Sequence, residues 1–564
     1  MRRIGALKLL LQLSAAFLDM PAESGRRSQT LATALMRMAS SQLQIDGLSD
    51  PSSQSCHSCP FPFLAILFGC CFLHSFFILT TANSTFTPKM GSRGAGKFEV
   101  KRIAIIGAGP CGLASAKYLV AQQAFETIDI FEQQCEVGGV WNYCPNPAEF
   151  CRVPQVSAQC PPDPPLRPKD APPVFPSPMY EELHTNIPRR LMQFSDQPFP
   201  EDCFLFPSRK QVKDYLVEYA KDVRHLIRFS SQVTDVRLRD DGSGRDQWDV
   251  DVISLVAGEK TTATYDAVVV ASGHYSVTYI PDIQNISEFH AAHPKVIMHS
   301  KLYRNPEPFA NKKVLVVGNA ASGLDIAAQI NRVCKKPLLL SVQTPTPPEQ
   351  LEWTGAEEVP VIEEFLVEER GVKFQDGRDE TDIDAVVFAT GYLFTYPFLT
   401  SFKPPLVTNG RRTYGLYRHL IHIDHPTLVF PGLPIKVVPF PFCESEAAVF
   451  SRVWANVLPL PSVEDMRLWE KKEAERNGSS FHVFPKGGDA EYINEMHDWI
   501  VQTGTAGKEP PHWDAEQIWQ RNNYAEAKLR FELGGRKART LEELGMRYQA
   551  EPDPNSDLTK KKTL

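Results

Sequence analysis

The chain has no surplus of positive charge: across 564 residues, 60 Lys and Arg stand against 67 Asp and Glu, a net of −7. Nothing in that balance draws a polyanion, so nucleic acid is not an expected partner. Twelve cysteines are scattered along the sequence and describe no disulfide framework. Cys56 and Cys59 form a single C-x-x-C pair, without the second pair or strand–helix–strand setting that a zinc or redox role requires. No acid–base pair or nucleophilic triad stands out. His419, His422 and His425 recur every third residue, yet Ile421, Ile423 and Pro426 favour a strand or turn over the helix that would gather imidazoles, so no metal is expected there.

What the sequence does contain is two dinucleotide-binding fingerprints about two hundred residues apart. In the first, an apolar run Arg102, Ile103, Ala104, Ile105, Ile106 predicts a buried parallel strand, followed by Gly107, Ala108, Gly109, Pro110, Cys111 and Gly112 as G-x-G-x-x-G. An Ala-rich helix to about Gln122 and a second strand from Ile128 to Phe131 lead to Glu132. Gly107 makes the tight turn, Gly109 lets backbone N–H groups approach a pyrophosphate at the helix N-terminus, and Gly112 allows close helix–strand packing. Glu132 is placed to accept hydrogen bonds from a ribose diol.

The second fingerprint follows the strand Val314 to Val317 and reads Gly318, Asn319, Ala320, Ala321, Ser322, Gly323, with a helix expected from Leu324 to Val333 and a strand from Pro337 to Val342. Ala320 replaces the middle glycine and still permits close backbone approach. Gln343 stands where a carboxylate would repel, or an arginine attract, a ribose 2′-phosphate, so charge leaves NADP and NAD both open.

Further segments carry a family resemblance: Gly138-Gly139-Val140-Trp141; Tyr180 to Pro188 followed by Met192, Phe194, Asp196 and Pro198-Phe199-Pro200; His299 to Tyr303; Phe388 to Tyr392; Gly432-Leu433-Pro434; and Pro439-Phe440-Pro441. Together these resemble the flavin-containing monooxygenases, particularly the fungal branch, over about residues 101–469. The resemblance implies FAD on the first fingerprint, NADPH on the second, and oxygenation of a soft nitrogen or sulfur in a small molecule through a flavin hydroperoxide, with O2 as co-substrate. It implies Asn186 as the catalytic residue, hydrogen-bonding near the flavin and nicotinamide, with a turn amide ahead of Ile187-Pro188 as the plain alternative. Gly139, Val140, Trp141, Thr185, Val233, Gly391 and Gly432 are implied cofactor contacts, although Trp141 would serve equally as a core aromatic.

Two departures qualify the match. His293 and Lys295 occupy the Phe and Gly positions ahead of His299 in the family's linker motif, with Tyr303 retained, and Glu446 stands where relatives usually carry Gln. That carboxylate would either tune the pocket or face water. Tyr303-Arg304 does not fit the ending of the Baeyer–Villiger relatives, so ketone oxygenation or NADPH oxidase activity on the same scaffold is the alternative function. A non-catalytic cofactor-binding protein is the second alternative. No cysteine pair flanks the first fingerprint, which argues against a thiol-reducing flavoenzyme. A cofactor that does the covalent work needs no triad from the protein, which accounts for the missing acid–base pair.

The expected fold is α/β, with two Rossmann-like dinucleotide-binding domains and the NADP domain inserted in a discontinuous FAD domain. Residues 98–275 and 388–540 would form the FAD domain, 276–387 the NADP domain and 541–564 a polar tail, with the crossings near Ser272-Gly273 and Thr390-Gly391. The proline-rich 153–178 segment is expected as an extended loop wrapping the FAD domain. The first 97 residues lie outside the resemblance. There, 61–82 is apolar enough to span a bilayer, and Lys89, Arg93, Lys97, Lys101 and Arg102 behind it would keep the catalytic part on the cytosolic face of the endoplasmic reticulum membrane. A dilysine ending at Lys561-Lys562 agrees with that placement, and the Asn83-Ser84-Thr85 sequon would then stay unmodified. The opposing expectation starts the protein at Met90 and leaves it cytoplasmic.

Overall fold

The computed structural model describes residues 97–550, apart from 147–150, 162, 170–171, 240–241, 243 and 505–506. The 61–82 span, Cys56 and Cys59, the sequon, Met90 and the C-terminal dilysine lie outside the described residues. Among the described residues, no helix is long and apolar enough to cross a membrane.

Each fingerprint nucleates its own parallel sheet. The strands Arg102–Ile106 and Ala267–Val270 are short runs dominated by Val, Ile and Ala, the composition expected of strands covered on both faces, and Thr127–Phe131 pairs beside the first of them. They sit at the centre of a seven-stranded sheet that Ile227–Arg228 continues on one side and Leu428–Val429 on the other, where an antiparallel pair, Ile421–His422 and Leu416–Tyr417, ends it. The second sheet has five parallel strands in the order Glu357–Val359, Leu339–Ser341, Val314–Val317, Ala385–Phe388, Ile297–His299. The two halves share a plan. In each, an antiparallel three-stranded meander precedes the strand that returns beside the fingerprint strand: 231–265 before Ala267–Val270, and 362–380 before Ala385–Phe388.

The helix Pro439–Trp454 is the pillar of the first half. From Phe440 to Trp454 every residue is buried, the signature of a helix apolar around most of its circumference, and it packs along the fingerprint helix Pro110–Gln122. Its start is held by Asp489, which accepts the N–H of Val438 at 3.0 Å and the Arg521 Nε–H at 2.8 Å while wholly buried. Removing one partner of a buried ion pair leaves a desolvated charge, which costs about 3–5 kcal/mol. Asp489→Ala is therefore expected to lower the apparent Tm sharply in thermal denaturation, and replacing Asp489 and Arg521 together by apolar residues should cost less than either single change.

The structure corrects two expectations. The second fingerprint's helix begins at Ala321, inside the fingerprint, and runs to Asn331; a turn that delivers helix N–H groups to a ligand must itself be the helix start. The proline-rich segment does not wrap the first half alone. Gln155 bridges Ile280, Cys151 and Val153 pack on one apolar cluster of the second half, and Tyr180 enters another beside Tyr303, while Phe175 is gripped on both backbone groups by Gln134 of the first half. With few N–H groups for a ladder, the segment is placed by these side-chain anchors, and they lie on both halves.

Candidate functional site

The two glycine-rich turns are near copies. Gly107 and Gly318 have φ of 105° and 103°, and a Cβ on either would strike a carbonyl of the neighbouring strand's end: Ala271 O at 2.5 Å, Ala389 O at 2.9 Å. A Cβ on Gly112 would lie 1.9 Å from Gly107 O, and on Gly323 1.9 Å from Gly318 O. Neither following helix has a side-chain cap or an acidic residue in its first turn. The unpaired N–H groups and positive dipole end are therefore left for an external anion at both places.

The turns differ in cover. Around the first, Gly109 is buried against Gly139, where an added Cβ would approach within 3.6 Å, and Gly138 N–H donates to Ala108 O at 2.9 Å. Glu132 is buried and accepts the N–H groups of Ala108 and Gln134, both at 2.8 Å, one on each oxygen. Desolvation raises its pKa above the usual carboxylate value while those two N–H donors oppose the rise. Glu132 thus braces the turn and keeps a lone pair on each oxygen for a ribose hydroxyl. Pro110, Cys111, Val140 and Trp141 are half-buried around it, Trp141 packing against the first core.

At the second turn Ala320, Ala321 and Ser322 are exposed, and the Asn319 amide donates to Thr344 O at 2.8 Å and Thr346 Oγ1 at 2.9 Å, so Asn319 fixes the loop beside the turn. Gln343 is exposed in that loop. A carboxylate there would face a 2′-phosphate at a few ångströms, where like charge costs roughly 1–4 kcal/mol. Gln343→Asp is therefore expected to raise KM for NADPH about tenfold relative to NADH, measured by NADPH and NADH oxidation at 340 nm.

Both chain crossings between the halves meet in one ribbon. Val277–Thr278 pairs antiparallel with Tyr392–Leu393, Tyr279 N–H donates to Gly391 O at 2.9 Å, and the Thr390 hydroxyl donates to Tyr279 O. His299 is buried with Nε2 3.1 Å from Gly391 O, and burial pushes its pKa down to about 3, so the imidazole stays neutral. Gly391 has φ of 83° with open space where a Cβ would stand. Three residues before Val277, His274 has both ring nitrogens buried, and desolvation lowers its pKa to about 4 against the opposing effect of the Gly432 backbone beside it. In the sequence His299 stood out only as the histidine of the linker motif, and His274 not at all, because residue type does not mark burial.

Asn186 is exposed and its side-chain amide makes no hydrogen bond among the described residues. The local bond that a turn amide would supply is made instead by Thr185, whose hydroxyl donates to Ile187 O at 2.8 Å. Thr185 is buried and closes the turn, and Asn186 is left uncommitted. The segment that follows is pinned at Ser195: its N–H and Oγ–H donate to the buried Glu444 carboxylate at 2.8 and 2.9 Å, and Lys508 Nζ reaches Glu444 at 2.8 Å and Ser195 Oγ at 2.9 Å. This Glu444–Lys508 anchor joins residues 64 positions apart and carries no local signal.

Glu446 falls on one side of the two alternatives open for it: it does not face water but is fully buried, one oxygen accepts the Gly432 N–H at 2.7 Å, and the other has no partner among the described residues. Desolvation holds its pKa well above the usual carboxylate range, and through Gly432 N–H it steadies the Gly432 turn, against which Cys111 packs. Val233 lies buried within the first meander, paired with Val252. His419, His422 and His425 are each engaged separately, by His482, by the His425 N–H and by Asp246.

Comparison with known proteins agrees with this geometry. A family model described as flavin-binding monooxygenase-like matches residues 175–346 and 357–509, and an NAD(P)-binding Rossmann-like domain model matches 105–162. Over 445 residues the chain is 33% identical to the thiol-specific monooxygenase of Saccharomyces cerevisiae, covering 75% of this chain and 91% of that one. The flavin-containing monooxygenase iboF of Amanita muscaria is 29% identical over 474 residues, covering 70% and 85%. The S-allyl-L-cysteine S-oxygenase of Allium sativum superposes with a TM-score of 0.63 at 25% identity, over 80% of this chain and 98% of that structure.

Proposed function

The chain belongs to the flavin-containing monooxygenase family, and from that premise we propose that it transfers one atom of O2 to a soft sulfur or nitrogen of a small molecule, releasing the other as water at the expense of NADPH. FAD and NADPH are its cofactors, and bound flavin supplies the oxygen-activating chemistry. The residues present fit them: two helix N-termini without side-chain caps for two pyrophosphates, and glycines at both turns whose added Cβ would strike backbone.

The protein's own tasks are to bind, orient and exclude water. The first turn with Glu132 would hold FAD; the second, with Asn319 setting its loop, would hold NADPH. The ribbon at Gly391 would set how the halves face each other, with neutral His299 as its pin. The observation that carries the catalytic reading is Asn186, an amide with both donor hydrogens and its oxygen unspent, on a turn already closed by Thr185. We assign it the role of a hydrogen-bonding partner to the bound cofactors, where flavin would supply the oxygen-activating chemistry.

Sulfur is supported as the acceptor atom by the company the chain keeps, which includes a thiol-specific monooxygenase and an S-oxygenase. The test is a panel of thiols, sulfides, tertiary amines and cyclic ketones, with NADPH loss, O2 uptake and H2O2 followed together. NADPH, O2 and oxygenated product in equal amounts with a sulfide or amine is the expected result. Lactone formation from a ketone, or peroxide accounting for all O2 with every compound, would overturn it.

A further inference from the structure

Away from the cofactor turns, His497, Asp498 and His512 each bring a ligand atom to within 4.8 Å of the others. His497 and Asp498 lie near the end of the helix Gly488–Val501, and His512 lies just ahead of the helix Ala515–Leu533. His497 Nδ1 is 3.2 Å from an Asp498 carboxylate oxygen, and the two imidazoles stand 4.7 Å apart between centroids at 63°. The backbone that presents them is held on both sides. Trp513, next to His512, is buried, and its peptide is gripped by Asn494, which accepts the Trp513 N–H at 2.8 Å and donates to Trp513 O at 3.0 Å. Asn494 sits three residues before His497, on the same face of the same helix. His512 is thereby fixed against His497 by a contact that includes neither ligand, while Asp498 and His512 stay exposed.

We propose that His497, Asp498 and His512 form a binding site for a divalent cation of the zinc class, with solvent in the fourth position. Two imidazole nitrogens and one carboxylate oxygen are a donor set that zinc accepts in tetrahedral geometry, whereas magnesium and calcium require oxygen ligands. Bonds of about 2.0–2.2 Å place tetrahedral donors roughly 3.3 Å apart, so the present cluster closes onto an ion by side-chain rotation, with the Asn494 clamp unchanged. The ion would staple the end of one helix to the strand of chain carrying Lys508. Lys508 in turn holds Glu444 and Ser195, and Glu509 O accepts the Tyr118 hydroxyl at 2.8 Å. The site is therefore a structural fastening for the segment that pins Ser195, Glu444 and Tyr118.

The test uses the full chain loaded with FAD and zinc chloride as the only added metal, in equilibrium dialysis with bound zinc counted by mass spectrometry. The expected result is one more zinc per chain in the wild type than in His512→Ala, and the same deficit in His497→Ala, with a rise in apparent Tm of about 2 °C or more at saturating zinc that neither variant shows. His512 is exposed, so FAD content and metal-free Tm matching the wild type will show that the variant is folded. Asn494→Ala, which loosens the clamp and leaves all three ligands, is expected to weaken zinc at least tenfold. Equal zinc uptake by wild type and both histidine variants, or no saturable uptake by the wild type at 100-fold excess, would overturn the proposal.

Discussion

Asn186→Ala is expected to turn the enzyme from an oxygenase into an NADPH oxidase. The variant should retain FAD and be reduced by NADPH at a near-native rate, because the Asn186 side chain braces nothing in the fold: it is exposed, and Thr185 closes its turn. What it should lose is product per NADPH, with the missing oxygen recovered as H2O2. Removing one preorganised hydrogen-bond donor from a developing oxyanion costs about a hundredfold or more in comparable sites, so peroxide should dominate turnover with any substrate. Asn186→Asp separates donor from acceptor: it keeps size and oxygen but removes both N–H groups, and should uncouple as fully as alanine. Stopped-flow reduction together with peroxide titration decides the matter. Unchanged coupling in both variants would leave Asn186 a surface amide.

The second large effect separates the two cofactor turns. Gly112→Ala and Gly323→Ala each place a methyl group 1.9 Å from a backbone oxygen, which only displacement of the helix N-terminus can relieve. At the first turn the displaced groups include Gly109, already pressed on Gly139, so Gly112→Ala should yield protein that no longer retains FAD. At the second turn the surroundings are open, and the fold and flavin should survive. Gly323→Ala is expected to stay yellow, to be bleached by dithionite, and to be bleached by NADPH about a hundredfold more slowly than the wild type, the penalty of a reactant misplaced by about an ångström. If Gly323→Ala instead lost its flavin and kept its response to NADPH, the assignment of coenzymes to turns would be reversed.

Legibility from the sequence followed the range of the interaction. The strands on both sides of each glycine turn were readable to within a residue or two, since Arg102–Ile106 and Val314–Val317 are runs whose burial needs no partner to be named. The helix of the second turn was expected three residues late because Ala-Ala-Ser-Gly reads as loop until a ligand-facing helix start is assumed. Glu446 shows the limit more sharply. Its residue type left pocket and water both open, and it is buried because the Pro439–Trp454 helix has no exposed side between residues 440 and 454. The proline-rich segment was recognisable as extended and not as a strap across both halves, since its anchors Gln134, Ile280 and Tyr303 are contributed by distant chain.

The order of amino acids by itself marked two turns of the dinucleotide-binding kind, one in each half, because a turn that needs a missing Cβ and a helix N-terminus is specified within about six residues of chain. Tertiary structure alone decided which groups stand ready around them. His299 meets Gly391 across 92 positions and Ser195 meets Glu444 across 249. The neutrality of His299 and the raised pKa of Glu446 come from burial rather than from the side chains themselves, since desolvation disfavours the charged form and only the folded protein removes the water.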